Sequence, residues 1–243
     1  MSRCFKGLII ICLSLMSCKK TEVIELDLTG IIKGEIYTLD EYIFQNNDYQ
    51  GIFIKLAGSE PLITTYTNSS GKYELINIPT GTYDLIISKD GYGEYQIQGI
   101  QIVGGDEPIY FNNSLVQKSS TVVENLSLQI MSFSEINMTG IVNHNFYGQT
   151  FFYPTIRYFI NNTEGVSNNN YIQTEEICFF EESGMQFTSQ IAISKNLYPS
   201  GSKIYIIAYG CHLHDNGYYD IMSNQYRYSS LGIGSNKVSI TIP

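Results

Sequence analysis

The chain has 243 residues, a length that suits one or two domains of ordinary size. It carries 14 basic and 23 acidic residues, so its formal net charge is −9. An acidic surface of this kind repels phosphate groups, which argues against nucleic acid as a partner and against a phosphate-binding role.

The first predicted element is a secretory signal. Arg3 and Lys6 give a positively charged start, and the apolar run Leu8–Leu15 that follows is too short to span a bilayer. The ending Leu15-Met16-Ser17-Cys18 resembles the lipobox of bacterial lipoproteins, in which cleavage leaves the cysteine as the lipid-bearing first residue. We therefore expect a signal peptide over residues 1–17. Its removal takes two positive charges from the chain and lowers the net charge from −9 to −11.

Residues 18–29 are predicted to tether the mature protein to a membrane. One acyl chain binds a bilayer only marginally, so the resemblance implies a multiply acylated Cys18 that carries palmitate-type chains. Beyond the signal, no stretch approaches the roughly 18–20 apolar residues of a membrane helix. The residue after Cys18 is Lys19 and not an acid, which is compatible with sorting to the outer membrane. There the protein could face either the periplasm or the surface. The Ile-, Asn- and Tyr-rich composition resembles that of Bacteroidetes-type surface lipoproteins.

The rest of the chain is predicted to be all-β. No long window places apolar residues at helical spacing, whereas alternating β-branched and aromatic runs recur between clusters of Gly, Asn, Asp and Ser. The 20 tyrosines and 12 phenylalanines suit half-buried pleated surfaces. We expect two β-sandwich domains in tandem.

The first domain is predicted over residues 30–118. Its turn Asn68-Ser69-Ser70-Gly71 has a mechanism, because the asparagine side chain can bond nearby backbone and the glycine can adopt a positive φ. Three segments, 51–58, 67–73 and 77–88 with Gly91-Tyr92, resemble in order the motifs of the carboxypeptidase regulatory-like domain. This resemblance implies a transthyretin-like sandwich of the carbohydrate-binding-like fold, without catalytic residues.

A covalent cross-link is one alternative within this domain. Pilin-like domains, which it also resembles, can join a lysine to an asparagine, and Lys33, with Asn112 or Asn113 and Glu74, offers candidates. Alternation along the strand, however, predicts that Lys33 faces solvent, which disfavours the bond.

The second domain is predicted over residues 119–243, after the junction Ser119-Ser120-Thr121. Its segment Leu197–Tyr209 resembles the corner of fibronectin type III-like and immunoglobulin-like domains, in which a tyrosine, here Tyr205, bonds upstream backbone. Tyr218–Ser235 is a longer return than that fold requires. Strands are expected near 122–131, 136–143, 154–161, 172–181, 186–194, 203–211 and 236–242.

Nothing in the sequence indicates an enzyme or a cofactor. Zinc-protease, serine-hydrolase and phosphate-loop motifs are absent. The adjacent pairs Glu175-Glu176 and Glu181-Glu182 place their carboxylates on opposite faces of a strand, which is poor geometry for acid–base chemistry. We therefore expect no catalytic residues.

Two smaller hypotheses concern the histidines and cysteines. His144, His212, His214 and Asp215 are expected at one end of the second domain, where they could hold zinc and support a metal-dependent hydrolase; exposed loop histidines are the alternative. Cys178 and Cys211 could form a disulfide in an oxidising envelope, or remain two small buried residues.

The same end of the second domain gathers aromatic residues that could bind a ligand, although packing between the sheets would also explain them. The sequence therefore favours a non-enzymatic binding or scaffold module, and a glycan-binding accessory protein of a polysaccharide-uptake system is the alternative. Its partners would be the membrane, through the lipid anchor, and other envelope proteins or glycans. The candidate ligand-binding residues are Phe146, Tyr147, Phe151, Phe152, Tyr153, Tyr218, Tyr219, Tyr226 and Tyr228.

Overall fold

The computed structural model describes residues 28–145, 154–178, 182–212 and 217–243. Within these residues every regular element is a β-strand, which confirms the all-β prediction. The strands form two sandwiches in tandem, each with its own hydrophobic core. No helix in the described part of the chain is long and apolar enough to cross a membrane.

The first sandwich contains nine strands. One sheet has the order β2-β1-β5, with β8 and β9 parallel to β1, and the other has the order β4-β3-β6-β7. The strands are β1 (Thr29–Leu39), β2 (Gln45–Asn46), β3 (Phe53–Ala57), β4 (Ile63–Tyr66), β5 (Lys72–Pro79), β6 (Gly81–Ser88), β7 (Tyr95–Ile102), β8 (Ile109–Tyr110) and β9 (Asn113–Val116).

The second sandwich packs the sheet β10-β11-β14 against the sheet β13-β12-β15-β18, and a separate hairpin, β16-β17, follows β15. The strands are β10 (Val122–Ser132), β11 (Glu135–Asn143), β12 (Thr155–Asn161), β13 (Gln173–Cys178), β14 (Met185–Ala192), β15 (Lys203–Cys211), β16 (Tyr218–Asp220), β17 (Gln225–Arg227) and β18 (Val238–Thr241). All seven strands predicted for this half of the chain are present. The hairpin occupies part of the long return before β18.

Alternation of side chains along the strands builds both cores. In β1, Ile32 and Ile36 are fully buried, whereas Lys33 between them keeps 39% of its side chain exposed. The turn before β5 forms as predicted: Asn68 Oδ1 accepts the N–H groups of Ser70 and Lys72 at 2.9 and 3.0 Å, and Gly71 has a φ of 79°.

The corner before β15 differs from the prediction, because the tyrosine that it buries is Tyr198 and not Tyr205. Tyr198 is fully buried in the second core, whereas Tyr205 lies half-buried in β15, with the Lys203 ammonium 5.1 Å from its ring centre. The tyrosine packed between the sheets is thus the one at the start of the corner.

A short junction joins the sandwiches. The Glu41 carboxylate accepts hydrogen bonds from the Ser120 N–H at 2.7 Å and the Ser120 hydroxyl at 2.8 Å. The Ser119 N–H donates to the Ser230 carbonyl at 3.0 Å. A Cβ atom on Gly93 would lie only 2.7 Å from the Ser229 carbonyl carbon, so the two backbones approach each other closely here. These contacts fix one sandwich against the other.

The junction also orients the molecule. The Gln117 N–H donates to the Leu39 carbonyl, so the end of β1 lies at the junction and its start, Thr29, lies at the opposite end of the first sandwich. An 11-residue strand spans roughly 35 Å. The chain therefore enters the first sandwich far from the second one.

Candidate functional site

A cleft of about 540 Å³ lies between the two sandwiches. Both sandwiches contribute aromatic, charged and amide side chains to it, so it exists only because the junction holds them together. The first sandwich contributes Gly51, Phe53, Ser88, Lys89, Asp90, Tyr92, Glu94 and Lys118, and the second contributes Asn168, Asn169, Tyr218, Arg227, Tyr228 and Ser229. We refer to this space as the interdomain cleft.

The wall from the first sandwich is fixed by polar contacts. The Lys89 ammonium lies 3.0 Å from an Asp48 carboxylate oxygen and donates to the Gln50 carbonyl at 2.7 Å. The Tyr92 hydroxyl accepts a hydrogen bond from the Asn46 amide at 3.0 Å and donates to Asp48 at 3.4 Å. Tyr92 also packs in the first core. Both side chains are thus held in place before any ligand arrives.

The wall from the second sandwich is held by an arginine. The Arg227 guanidinium donates to the Asp220 carboxylate at 2.7 and 3.0 Å and to the Asn169 carbonyl at 3.0 Å. Hydrogen bonds from Ser223 and Arg227 hold the pKa of the Asp220 carboxyl well below its usual range. Asp220 therefore stays ionised and keeps the arginine oriented.

The aromatic part of the cleft is packed from behind. The Arg157 guanidinium lies 4.0 Å from the centre of the Tyr228 ring, and Arg157 also pairs with Glu176. The ring of Tyr228 lies 4.8 Å from that of Tyr226 and 5.6 Å from that of Phe159. These neighbours leave Tyr228 little freedom, so a ligand that covers it costs little side-chain entropy.

Two of the tyrosines predicted as ligand-binding residues line the cleft, and two do not. Tyr218 and Tyr228 line it. The centre of the Tyr218 ring lies 6.0 Å from that of Tyr95 in the first sandwich. Tyr226 packs behind Tyr228, and Tyr219 is 52% exposed outside the lining set. This end of the second sandwich therefore faces the first sandwich. The other predicted members, Phe146, Tyr147, Phe151, Phe152 and Tyr153, lie outside the described residues, as does Cys18.

Charges in the cleft are close to balanced. Lys89, Lys118 and Arg227 face Asp90 and Glu94, and the carboxylates of Asp48 and Asp220 already pair with two of these cations. Together with the amides of Asn168 and Asn169, this set offers donors and acceptors without a strong net charge. The cleft is suited to a neutral, hydroxyl-rich molecule that also presents a flat apolar face.

His212 serves the junction. It is 5% exposed, and its Nε2 atom lies 2.8 Å from the Gln117 carbonyl oxygen of the first sandwich. The described residues contain no group of three or more side chains arranged to hold a metal. His144 follows β11, where its N–H donates to the Ser183 hydroxyl. His214 and Asp215 lie outside the described residues, so the four-residue zinc site stays a prediction.

The two cysteines are not joined to each other. Both lie opposite Thr155, Cys178 on one neighbouring strand and Cys211 on the other. Two strand spacings, about 10 Å, separate them, which is more than a disulfide can bridge. The predicted disulfide is therefore wrong, because strand β12 lies between the two cysteines. Cys178 is exposed and Cys211 is buried.

Comparisons with known proteins give low-scoring matches to solved structures and no family. It is 16% identical to a candidate carbohydrate-binding protein from Bacteroides uniformis, with a TM-score of 0.35 over 87% of this chain and 98% of that one. A DUF3823 family protein from Bacteroides ovatus is 12% identical, with a TM-score of 0.37 over 88% of this chain and 100% of that one. No family model and no curated protein matches.

Proposed function

We propose that this chain is a non-enzymatic lipoprotein of the cell envelope that binds a neutral glycan in the interdomain cleft. Two β-sandwich domains, residues 30–118 and 119–243, form the binding body, and acylated Cys18 anchors it to the membrane. The observation that carries the proposal is the cleft itself. Its aromatic rings and polar groups come from both sandwiches and are held by contacts outside the cleft.

The chemistry of the cleft favours a sugar over other ligands. Tyrosine rings provide flat apolar surface for the C–H face of a pyranose, and their hydroxyls remain available for hydrogen bonds. Carboxylates, amides and cationic side chains can bind adjacent hydroxyl groups. An anionic polymer would meet a chain whose net charge is −9, or −11 once residues 1–17 are removed, which disfavours it. A volume of about 540 Å³ falls within the ordinary range of ligand pockets.

The proposed anchor is compatible with this role. Residues 18–28 precede the first described strand at the end of the first sandwich that lies away from the cleft. The first sandwich extends roughly 35 Å from that end toward the cleft. The cleft would thus stand clear of the membrane and open to polysaccharide.

Native affinity gels test the glycan site. The protein without its signal and its lipid-bearing Cys18, residues 19–243, is run in gels that contain starch, xylan, galactomannan, arabinan or mixed-linkage β-glucan. We expect one of these polymers to retard it, and we expect Tyr218→Ala to weaken that binding at least about tenfold, equivalent to about 1.4 kcal/mol. The control is Tyr219→Ala, which removes the neighbouring exposed ring outside the cleft.

Two outcomes would overturn the glycan site. One is no retardation in any of the five gels. The other is equal loss of binding in the two variants, because only Tyr218 lines the cleft. Thermal unfolding of both variants checks that Tyr218→Ala remains folded.

The anchor is tested separately. Cells that express the full chain are fed labelled palmitate, and we expect the label in the wild type and none in Cys18→Ser. The variant should also move from the membrane fraction to the soluble fraction. An unlabelled wild type, or a variant that remains in the membrane fraction, would contradict the proposed anchor.

A further inference from the structure

A second concavity lies on the first sandwich, outside the interdomain cleft. It has a volume of about 740 Å³, and its lining comes from β1, β4, β5 and β8 and the residues beside them. The side chains that matter most are Lys33, Glu35, Tyr66, Glu74, Tyr110 and Asn112. We refer to it as the sheet groove.

Strand register organises the floor of the sheet groove. Lys33 lies directly between Glu74 on β5 and Tyr110 on β8, and its ammonium is 2.8 Å from the Glu74 carboxylate. Two residues further along β1, Glu35 lies opposite Lys72, and its N–H donates to the Asn112 side-chain oxygen at 2.9 Å. The floor therefore consists of two parallel rows of polar side chains.

The charges in the groove are balanced, as they nearly are in the cleft. Two lysines face two glutamates, so the floor has no net charge. Tyr66 and Tyr110 keep 63% and 65% of their surface exposed, so both rings are open to a ligand. Exposed tyrosines beside balanced, hydrogen-bonding side chains again suit a neutral sugar.

An aromatic pair links the two sites. Phe53 lines the interdomain cleft and Tyr66 lines the sheet groove, and they are direct cross-strand partners on β3 and β4. Their ring centres are 5.2 Å apart. Each site therefore contributes one ring to this pair, so the two linings are in contact here.

We infer that the sheet groove is a second saccharide subsite, and that the ligand is a neutral polysaccharide whose chain occupies the cleft and the groove together. This inference rests on the proposed glycan site in the cleft. Two linked subsites raise affinity for a long chain because the second contact forms at high effective concentration, whereas a short oligosaccharide occupies one subsite at a time.

A length series tests the inference. The polymer that retards the protein most in the affinity gels is cut into oligosaccharides of two to ten sugar units, and their affinities are measured by titration calorimetry. We expect affinity to rise at least about tenfold from the shortest to the longest binder. In Tyr110→Ala the ratio of longest to shortest affinity should fall close to one, whereas Tyr219→Ala should keep the wild-type ratio.

The outcomes separate this inference from the proposal beneath it. If Tyr218→Ala weakens binding but Tyr110→Ala keeps the wild-type length dependence, the cleft site stands and the groove subsite is refuted. A wild-type affinity that is flat with chain length refutes the subsite in the same way. If no polymer binds, both fall. Because Tyr110 is largely exposed, its replacement should leave the fold intact, which circular dichroism checks.

Discussion

The close approach of the two sandwiches at Gly93 can be tested by adding one methyl group. A Cβ atom at this position would lie 2.7 Å from the carbonyl carbon of Ser229 and 2.8 Å from its carbonyl and hydroxyl oxygens. Two of these three atoms belong to the backbone and cannot rotate away. Gly93 itself is held by its N–H, which donates to the Val116 carbonyl at 2.9 Å. Gly93→Ala must therefore shift one backbone relative to the other at the junction.

The size of the effect follows from the overlap. Carbon atoms in good contact lie about 3.5–4.0 Å apart, so the added methyl group is about 1 Å too close. Overpacking of this kind typically costs about 1–3 kcal/mol. We expect one of two results. Either the free energy of unfolding falls by that amount, or the junction opens and the glycan affinity falls, about tenfold for each 1.4 kcal/mol of binding free energy that is lost.

Urea denaturation and affinity gels on the same samples measure both effects. Gly165→Ala is the control, because a Cβ atom there meets no backbone atom within 4 Å and approaches only two side-chain atoms, the Asn170 amide nitrogen at 3.2 Å and the Thr163 hydroxyl at 3.9 Å. A Gly93→Ala protein with wild-type stability and wild-type binding would refute the close, fixed junction.

Three further predictions follow from named contacts. Glu41→Ala removes both hydrogen bonds to Ser120 and should lower the free energy of unfolding by about 1–3 kcal/mol in urea denaturation; an unchanged midpoint would contradict this. The Tyr198 hydroxyl has no hydrogen-bond partner among the described residues, so Tyr198→Phe should match or exceed wild-type stability at neutral pH. Burial raises the pKa of Tyr198 to about 12, so its contribution to wild-type stability is present below pH 10 and is lost as the pH rises from about 10 to 12. The advantage of Tyr198→Phe should widen over this interval in thermal melts, and a constant difference would count against it. A thiol reagent should label Cys178 in the native protein and Cys211 only after unfolding, and equal native labelling would contradict their positions.

Much of the fold could be predicted because its signals are local. Alternation correctly predicted that Lys33 faces outward, and the Asn68 to Gly71 turn formed through the hydrogen bonds that its residue types allow. The face of a strand on which a side chain lies, and the formation of a four-residue turn, depend on residues that are close in sequence. Such features can therefore be inferred without knowledge of the rest of the molecule.

The site could be predicted only in part because its walls are distant in sequence. Tyr218 was identified from its residue type, but nothing local indicates that it faces Tyr95. The return after β15 docks on the first sandwich through the Ile221 N–H, which donates to the Gln98 side chain at 2.9 Å across 123 positions. Contacts between residues so far apart in sequence depend on how the two folded sandwiches pack against each other. No pattern within either domain indicates that packing.

Hydrogen–deuterium exchange tests the central claim most directly. The mature protein is labelled with and without the polysaccharide that retards it most in affinity gels. If the polysaccharide binds in the cleft, its addition should slow exchange in the peptides that cover 88–94 and 226–229. These two segments come from different sandwiches and form the two walls of the cleft. Protection confined to one sandwich, or absent from both segments while the polymer is bound, would contradict a glycan site between the domains.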